Sequence, residues 1–232
     1  MVKKRQNNKY ISTFISAVKF IGEIVIDALI LFSVFFLIKT YFIAPFEIYG
    51  PSMCNTFNYF NNSCNSGYGE YIIINKIGYG NILGWQIGLP QRGDIVVFHP
   101  PHEKEFYIKR IIGLPGETVI IKNGDVYIKN DKNPEGKKLK EAYLNKINQG
   151  NTTTFNMKQT EYKVPEGKYF LMGDNREMST DSRTCFKDPM AGGCSDPENA
   201  FVPLENISGR AWIVLWPYEK IRWIERYNDY NL

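Results

Sequence analysis

Ser52 stands in the run Ile48-Tyr49-Gly50-Pro51-Ser52-Met53, a few residues beyond the chain's only long apolar segment. A serine between proline and methionine at that place is poorly suited to packing. It is well suited to attacking something held at a membrane surface. Its hydroxyl is a weak nucleophile and needs a base. Two kinds of base are present. His99 and His102, the only histidines, lie in His99-Pro100-Pro101-His102, where two prolines hold an exposed loop. Lys109 lies in Tyr107-Ile108-Lys109-Arg110-Ile111-Ile112. Two-residue alternation puts Lys109 on one apolar face with Tyr107 and Ile111, while Arg110 points the other way, solvated or ion-paired. A lysine in an apolar site loses its proton more easily, because burial disfavours the charged form. Bringing it from about 10.4 to near neutrality takes about 4 kcal/mol, which the fold must supply. The competing reading is a strand lysine that snorkels to water. A third group, Gly173-Asp174-Asn175-Arg176 through Ser179-Thr180-Asp181-Ser182-Arg183, follows the apolar run Tyr169-Phe170-Leu171-Met172. Such a dense set of polar side chains suits a loop that fixes other groups. It also suits a capped turn with surface ion pairs, each worth under about 1 kcal/mol.

The elements that would position these groups are legible in outline. Lys3, Lys4, Arg5, Lys9 and Lys19 crowd residues 1–19 with no acidic residue among them, and an apolar span follows at 20–43. The span is long enough to cross a hydrocarbon core of about 30 Å. Glu23 and Lys39 can snorkel to its interfaces, and Asp27 lies a turn or two inside. A buried soluble helix is the alternative; a cleaved signal peptide fits poorly, since no small-x-small pair ends the span. The basic tail argues for an N-inside orientation, with residues 44–232 outside. Cys54, Cys64, Cys185 and Cys194 all fall on that outer side, where disulfides persist. Four cysteines allow three connectivities, of which the local pairs Cys54–Cys64 and Cys185–Cys194 are the simplest. Neither spacing is the C-x2-C of a zinc site, so no metal and no cofactor is expected. The net charge of +4 gives little support to nucleic-acid binding.

The outer part reads as mainly β. Tyr71–Ile74, Asp94–Phe98, Phe106–Ile112 and Arg210–Leu215 are short β-branched and aromatic runs bounded by turn residues. Asn123-Gly124 between Val119-Ile120-Ile121 and Val126-Tyr127-Ile128 predicts a hairpin. Residues 129–163 turn polar and lysine-rich, and read as an inserted excursion outside the core. The expected architecture is one N-terminal transmembrane helix followed by an antiparallel-sheet catalytic domain. Phe57, Tyr59, Phe60, Trp212, Trp216 and Trp223 are candidates for an interfacial apolar skirt, with core packing as the alternative for any single tryptophan.

In combination these elements resemble the bacterial type I signal peptidases, membrane-anchored Ser-Lys proteases that remove signal peptides from exported proteins. Four motifs match in order: Gly50-Pro51-Ser52-Met53 after the span, Arg92-Gly93-Asp94-Ile95-Val96-Val97-Phe98, Tyr107-Ile108-Lys109-Arg110 through Gly113-Leu114-Pro115-Gly116-Glu117, and Gly173 through Arg183. The resemblance implies Ser52 as nucleophile, Lys109 as general base, Ser179 as the hydroxyl that orients the lysine, and Asp181 and Arg183 as supports. It implies an extended substrate with small side chains beside Phe46, Ile48, Met53 and Ile108. It implies a single-pass protein of the cytoplasmic membrane, N-terminus inside, whose partners are exported preproteins and the lipid bilayer. Some relatives carry an oxyanion-binding serine two positions before the nucleophile. Here that position is Gly50, so the second donor is absent or supplied by water or another amide. Asn55 stands where a proline is common, and Glu177-Met178 where Asp-Asn is frequent. Two other functions fit parts of the pattern: a specialised peptidase for pilin, conjugation or surface-assembly substrates, and a non-enzymatic anchored β module.

Overall fold

The computed structural model describes residues 2–77, 79, 81–82, 85–86, 88–155, 159–187, 194 and 196–232. It divides into two units, Met1–Phe42 and Ile43–Leu232.

The first unit is one helix, Val2–Tyr41. The basic tail therefore continues the same helix as the span. Phe14–Tyr41, 28 residues, is long and apolar enough to cross a membrane. It rises about 42 Å at 1.5 Å per residue, more than the roughly 30 Å of hydrocarbon. Ser33 Oγ donates to Leu29 O at 2.8 Å, so that hydroxyl is satisfied within the helix.

The second unit is mainly β. Its large sheet runs in the order Ile43–Tyr49, Tyr68–Asn75, Ile207–Trp216, Ile95–Phe98, Tyr107–Gly113, Lys168–Met172, Val202–Pro203, with Arg222–Trp223 added beside Ile207–Trp216. All these pairings are antiparallel. Four strand spacings separate Ile43–Tyr49 from Tyr107–Gly113, about 19 Å in a flat sheet. Yet the rings of Phe46, in the middle of the first segment, and Phe106, just before the second, lie 4.8 Å apart. The sheet must curl to bring them together. The central strand Ile207–Trp216 supplies the means, with register shifts at Ile207/Gly209, Ala211/Ile213 and Val214/Trp216. Such irregularities bend a strand and increase its twist. Ile48, Met53, Phe57, Ile72, Ile74, Ile95, Val97, Ile108 and Val214 fill the concavity.

A second sheet runs Asn133–Lys138, Asp125–Asn130, Thr118–Lys122, Glu161–Lys163. Its centre is the expected hairpin. Asn123 and Gly124 both take positive φ, 52° and 82°, as a two-residue turn of this kind requires. The polar excursion is corrected here. Both its ends are strands of this sheet, and Leu139 and Tyr162 are buried with Val119, Ile121, Val126 and Ile128. Composition concealed this because the anchoring apolar residues are few and far apart among polar ones. Phe57 is corrected too: it is 1% exposed and sits in the core. The turn in which its N–H donates to Met53 O at 2.8 Å carries the ring inward. Tyr59, Trp216 and Trp223 remain exposed.

Candidate active site

Ser52 lies just past the edge strand Ile43–Tyr49, in a turn closed by the Cys54 N–H donating to Pro51 O. Lys109 is the third residue of Tyr107–Gly113. Curling of the sheet makes them neighbours, with Lys109 Nζ 2.8 Å from Ser52 Oγ. The ammonium also donates to Ile108 O at 2.9 Å and lies 5.3 Å from the Tyr107 ring centre. Lys109 is 3% exposed. Burial pushes its pKa down from 10.5 to about 8, against the opposing pull of Asp181 and Asp174 and with a smaller push from Arg183. The sequence expectation of a lysine on an apolar face is met, and the snorkelling alternative is not.

Ser179 Oγ is buried, and among the described residues it makes no well-formed hydrogen bond, only a looser approach to the Asp181 carboxylate. It packs on Gly173: a Cβ at residue 173 would fall 2.2 Å from Ser179 Oγ and 2.4 Å from Ser52 O. Only glycine permits that approach. Asp181 and Arg183, both buried, pair through Arg183 Nη2 to Asp181 Oδ2 at 2.8 Å and Arg183 Nε to Asp181 Oδ1 at 2.9 Å. Asp181 also accepts the Gly173 N–H at 3.0 Å and caps the short 3-10 turn Ser182–Thr184. Burial would raise the Asp181 carboxyl, but Arg183, the Gly173 N–H and a lesser contribution from Ser179 hold it below the usual carboxylate range. These are interior pairs, not the exposed loop pairs that composition alone allowed.

Gly50 takes φ +81°, a region in which a serine would be strained, although the space around it is open. Its carbonyl accepts from Asn58 Nδ2 at 3.1 Å and its N–H donates to Gly67 O at 3.0 Å. The Gly50 amide is thus occupied, while nothing among the described residues accepts the Ser52 N–H. Asn55, in the place where a proline is common, has φ +75°, a value the proline ring forbids.

A groove of about 570 Å³ runs past Ser52 and Lys109, lined among others by Phe46, Ile48, Tyr107 and Ile108. Met53 does not line it. That side chain is buried below, where its sulfur accepts the Asp174 N–H at 3.4 Å. Neither histidine faces the serine: His102 Nε2 bonds Asn199 at 2.6 Å, and the His99 ring stacks on Phe106 at 3.9 Å. Cys54–Cys64 and Cys185–Cys194 are both disulfides, the local connectivity. Cys54–Cys64 ties the turn after Ser52 to the small hairpin Tyr59–Phe60/Ser63–Cys64. Among the described residues no cluster could hold a metal ion.

Three supports were not singled out from the sequence. Asn175 donates from its N–H to Ser52 O and from Nδ2 to Pro51 O, each at 3.1 Å. Asp174 accepts from Thr56 Oγ1 at 2.5 Å and from Arg110 Nε at 2.8 Å, so Arg110 is ion-paired and buried. Arg176 is fully buried beside Glu141. Asp174, Asn175 and Arg176 lie within the polar loop, so density of hydrogen-bonding residues was a signal; Glu141 had none.

The fold and the groove define a class: a β-rich unit with a serine and a buried lysine in an open groove, preceded by an apolar helix. Within that class the chain belongs to the signal peptidase family, peptidase S26, whose family model matches residues 21–216. It is similar to signal peptidase IB of Staphylococcus aureus (strain MRSA252), 32% identical over 212 residues that cover 87% of this chain and 92% of the relative. It is also similar to signal peptidase I U of Bacillus subtilis (strain 168), 33% identical over 199 residues, 86% and 89% of the two chains. A crystal structure of a signal peptidase I from Enterococcus faecalis V583 aligns with 53% of this chain and 96% of its own, at 32% identity and a TM-score of 0.37. Family membership and the apolar helix make the chain a membrane-anchored peptidase that processes signal peptides.

Proposed function

We propose that the chain is a Ser-Lys endopeptidase that cuts signal peptides from exported preproteins after small residues of the Ala-x-Ala type. The observation that carries the reading is the 2.8 Å contact between Ser52 Oγ and a buried Lys109 Nζ whose pKa is lowered to about 8. The neutral amine takes the Ser52 hydroxyl proton as Oγ attacks the scissile carbonyl carbon. The tetrahedral oxyanion forms beside the Ser52 N–H. The resulting ammonium returns its proton to the leaving amine, which departs as the new N-terminus of the mature protein. Water then repeats the sequence on the acyl-enzyme, with Lys109 again as base. Ser179 Oγ, buried and without a well-formed hydrogen bond among the described residues, accepts from the ammonium and steers it. Phe46, Ile48 and Ile108 line the groove that passes the serine, and such bulky apolar walls favour small substrate side chains.

The basic tail supports an N-terminus on the inner side of the cytoplasmic membrane and a β unit on its outer side. There the enzyme meets precursors tethered by their own apolar segments, and an oxidising compartment keeps both disulfides formed. The test is cleavage of an Ala-x-Ala precursor by the full chain in detergent, with Ser52→Ala and Lys109→Ala beside the wild type. Both variants are expected to lose activity while remaining folded, as circular dichroism would report. Retained turnover in Lys109→Ala would sink the assignment of the base. Profiling cleavage across many exported precursors separates a general signal peptidase from one dedicated to a single assembly pathway.

A further inference from the structure

Arg176 is the largest fully buried side chain among the described residues. A buried guanidinium must find acceptors for its five N–H groups. Nε donates to Gly173 O at 3.1 Å, within the polar loop itself. The other acceptors come from residues 141–152, inside the polar excursion. Nη1 donates to Glu141 Oε2 at 3.1 Å and to Thr152 Oγ1 at 2.7 Å. Nη2 donates to Glu141 Oε1 and, at 3.1 Å, to Tyr143 OH. The Arg176 backbone N–H donates to Asn148 Oδ1 at 2.7 Å. These acceptors are themselves held. Thr152 N–H donates to Gly124 O at 2.8 Å, and Asn148 Nδ2 donates to Asn145 Oδ1 at 2.8 Å. Tyr143 also covers a second arginine, with the Arg110 guanidinium 4.0 Å from its ring centre, and Arg110 grips Asp174.

The loop braced in this way is the one that touches the nucleophile. Gly173 lies under both Ser179 Oγ and Ser52 O, and Asn175 bonds Ser52 O and Pro51 O. A displacement of Arg176 therefore passes through Gly173 and Asn175 to the backbone of Ser52 and to the orienting serine. Without Glu141 and Thr152 the guanidinium would be a buried charge with unmet donors, and it would have to move toward water.

We propose that Glu141 and Thr152, with Asn148, are positioning residues for the Ser52–Lys109 pair. They touch no substrate. They complete Arg176 from the second sheet's excursion, and so hold the Gly173–Arg176 loop against the nucleophile turn. The excursion is then a working part of the site, although its composition is that of a dispensable insertion. This inference rests on the reading of Ser52 and Lys109 as nucleophile and base.

The test uses the full chain in detergent with the precursor described above, well below the melting temperature. Thr152→Val removes one acceptor and keeps the shape, so the outcome turns on it; Glu141→Gln removes the partner charge, and Thr152→Ser restores the hydroxyl. Misplacement of a catalytic group by about 1 Å can lower a rate on the order of 100-fold. The expected result is a fall in kcat of roughly tenfold or more for Thr152→Val and Glu141→Gln, with KM unchanged, and recovery of most of kcat in Thr152→Ser. A lower melting temperature with unchanged kcat per folded molecule overturns the proposal, because the contacts would then be structural only. So does a rise in KM at constant kcat, which would mean contact with substrate. Ser52→Ala is run beside them. If it cleaves like the wild type, the nucleophile assignment fails; if it is inactive while Thr152→Val is normal, only the positioning role fails.

Discussion

Lys109 embodies a conflict between stability and chemistry. Its folded pKa of about 8 lies below the unfolded 10.5, so between those values the unfolded chain binds more protons. Stability should therefore rise with pH across that window, by about 3 kcal/mol in all. Below pH 8 the full penalty stands. Lys109→Met, similar in volume and uncharged, is expected to abolish cleavage yet stabilise the fold at pH 7 by up to about 3 kcal/mol in chemical denaturation. The proposed mechanism needs the neutral amine, so kcat/KM of the wild type should climb as pH rises through about 8. A flat profile from pH 6 to pH 9 would contradict Lys109 as the base. Gly173 makes a different demand. Gly173→Ala must push apart Ser179 and the Ser52 carbonyl, and a loss of about 100-fold in kcat is expected for a shift near 1 Å. Ser52 stood out in the sequence from its place after the span, and alternation put Lys109 on an apolar face, but the pairing of the two was read from the family resemblance. The dependence on Gly173 was not legible, because a glycine's role in close approach is set by what lies above it.

The elements were readable to different depths. Strands with dense β-branched runs, and the Asn123-Gly124 hairpin, stand where local pattern put them. The edge strand Ile43–Tyr49 was not among the runs that read as strands, since Pro45 and Glu47 interrupt its pattern, yet it pairs with Tyr68–Asn75 and lines the groove. The nucleophile turn after it is fixed by Cys54–Cys64 and by the left-handed Asn55. Opening this 10-residue loop by replacing both cysteines with serine should lower stability by about 3 kcal/mol in the chain-entropy model, measured as a shift in denaturant midpoint. Asn55→Gly should be nearly neutral, whereas Asn55→Pro cannot keep φ +75° and should cost activity and stability together. Equal behaviour of the two variants would mean that the turn conformation does not matter to the site.

For the molecule as a whole, the helix and the β unit serve distinct ends, anchorage and chemistry. The 28-residue apolar stretch should keep the protein in the membrane fraction through high-salt and alkaline washes, releasing it only with detergent. Proteolysis of sealed vesicles should report the orientation: the proposal expects residues 44–232 to be accessible from the outer side and the basic tail from the inner. The reverse pattern would remove the case for cleavage of exported precursors.

The sequence alone determined the apolar span and the mainly β class, from the length of an apolar run and from two-residue alternation. It pointed to Ser52 and Lys109 through motifs that resemble a family, each motif a short local run. Tertiary structure decided that Lys109 meets Ser52, that Met53 and Phe57 turn inward, and that the polar excursion carries Glu141 and Thr152 to Arg176. Those outcomes follow from the curl of the sheet and from buried charges seeking partners far along the chain. Neither has a period or a motif that a linear reading can detect.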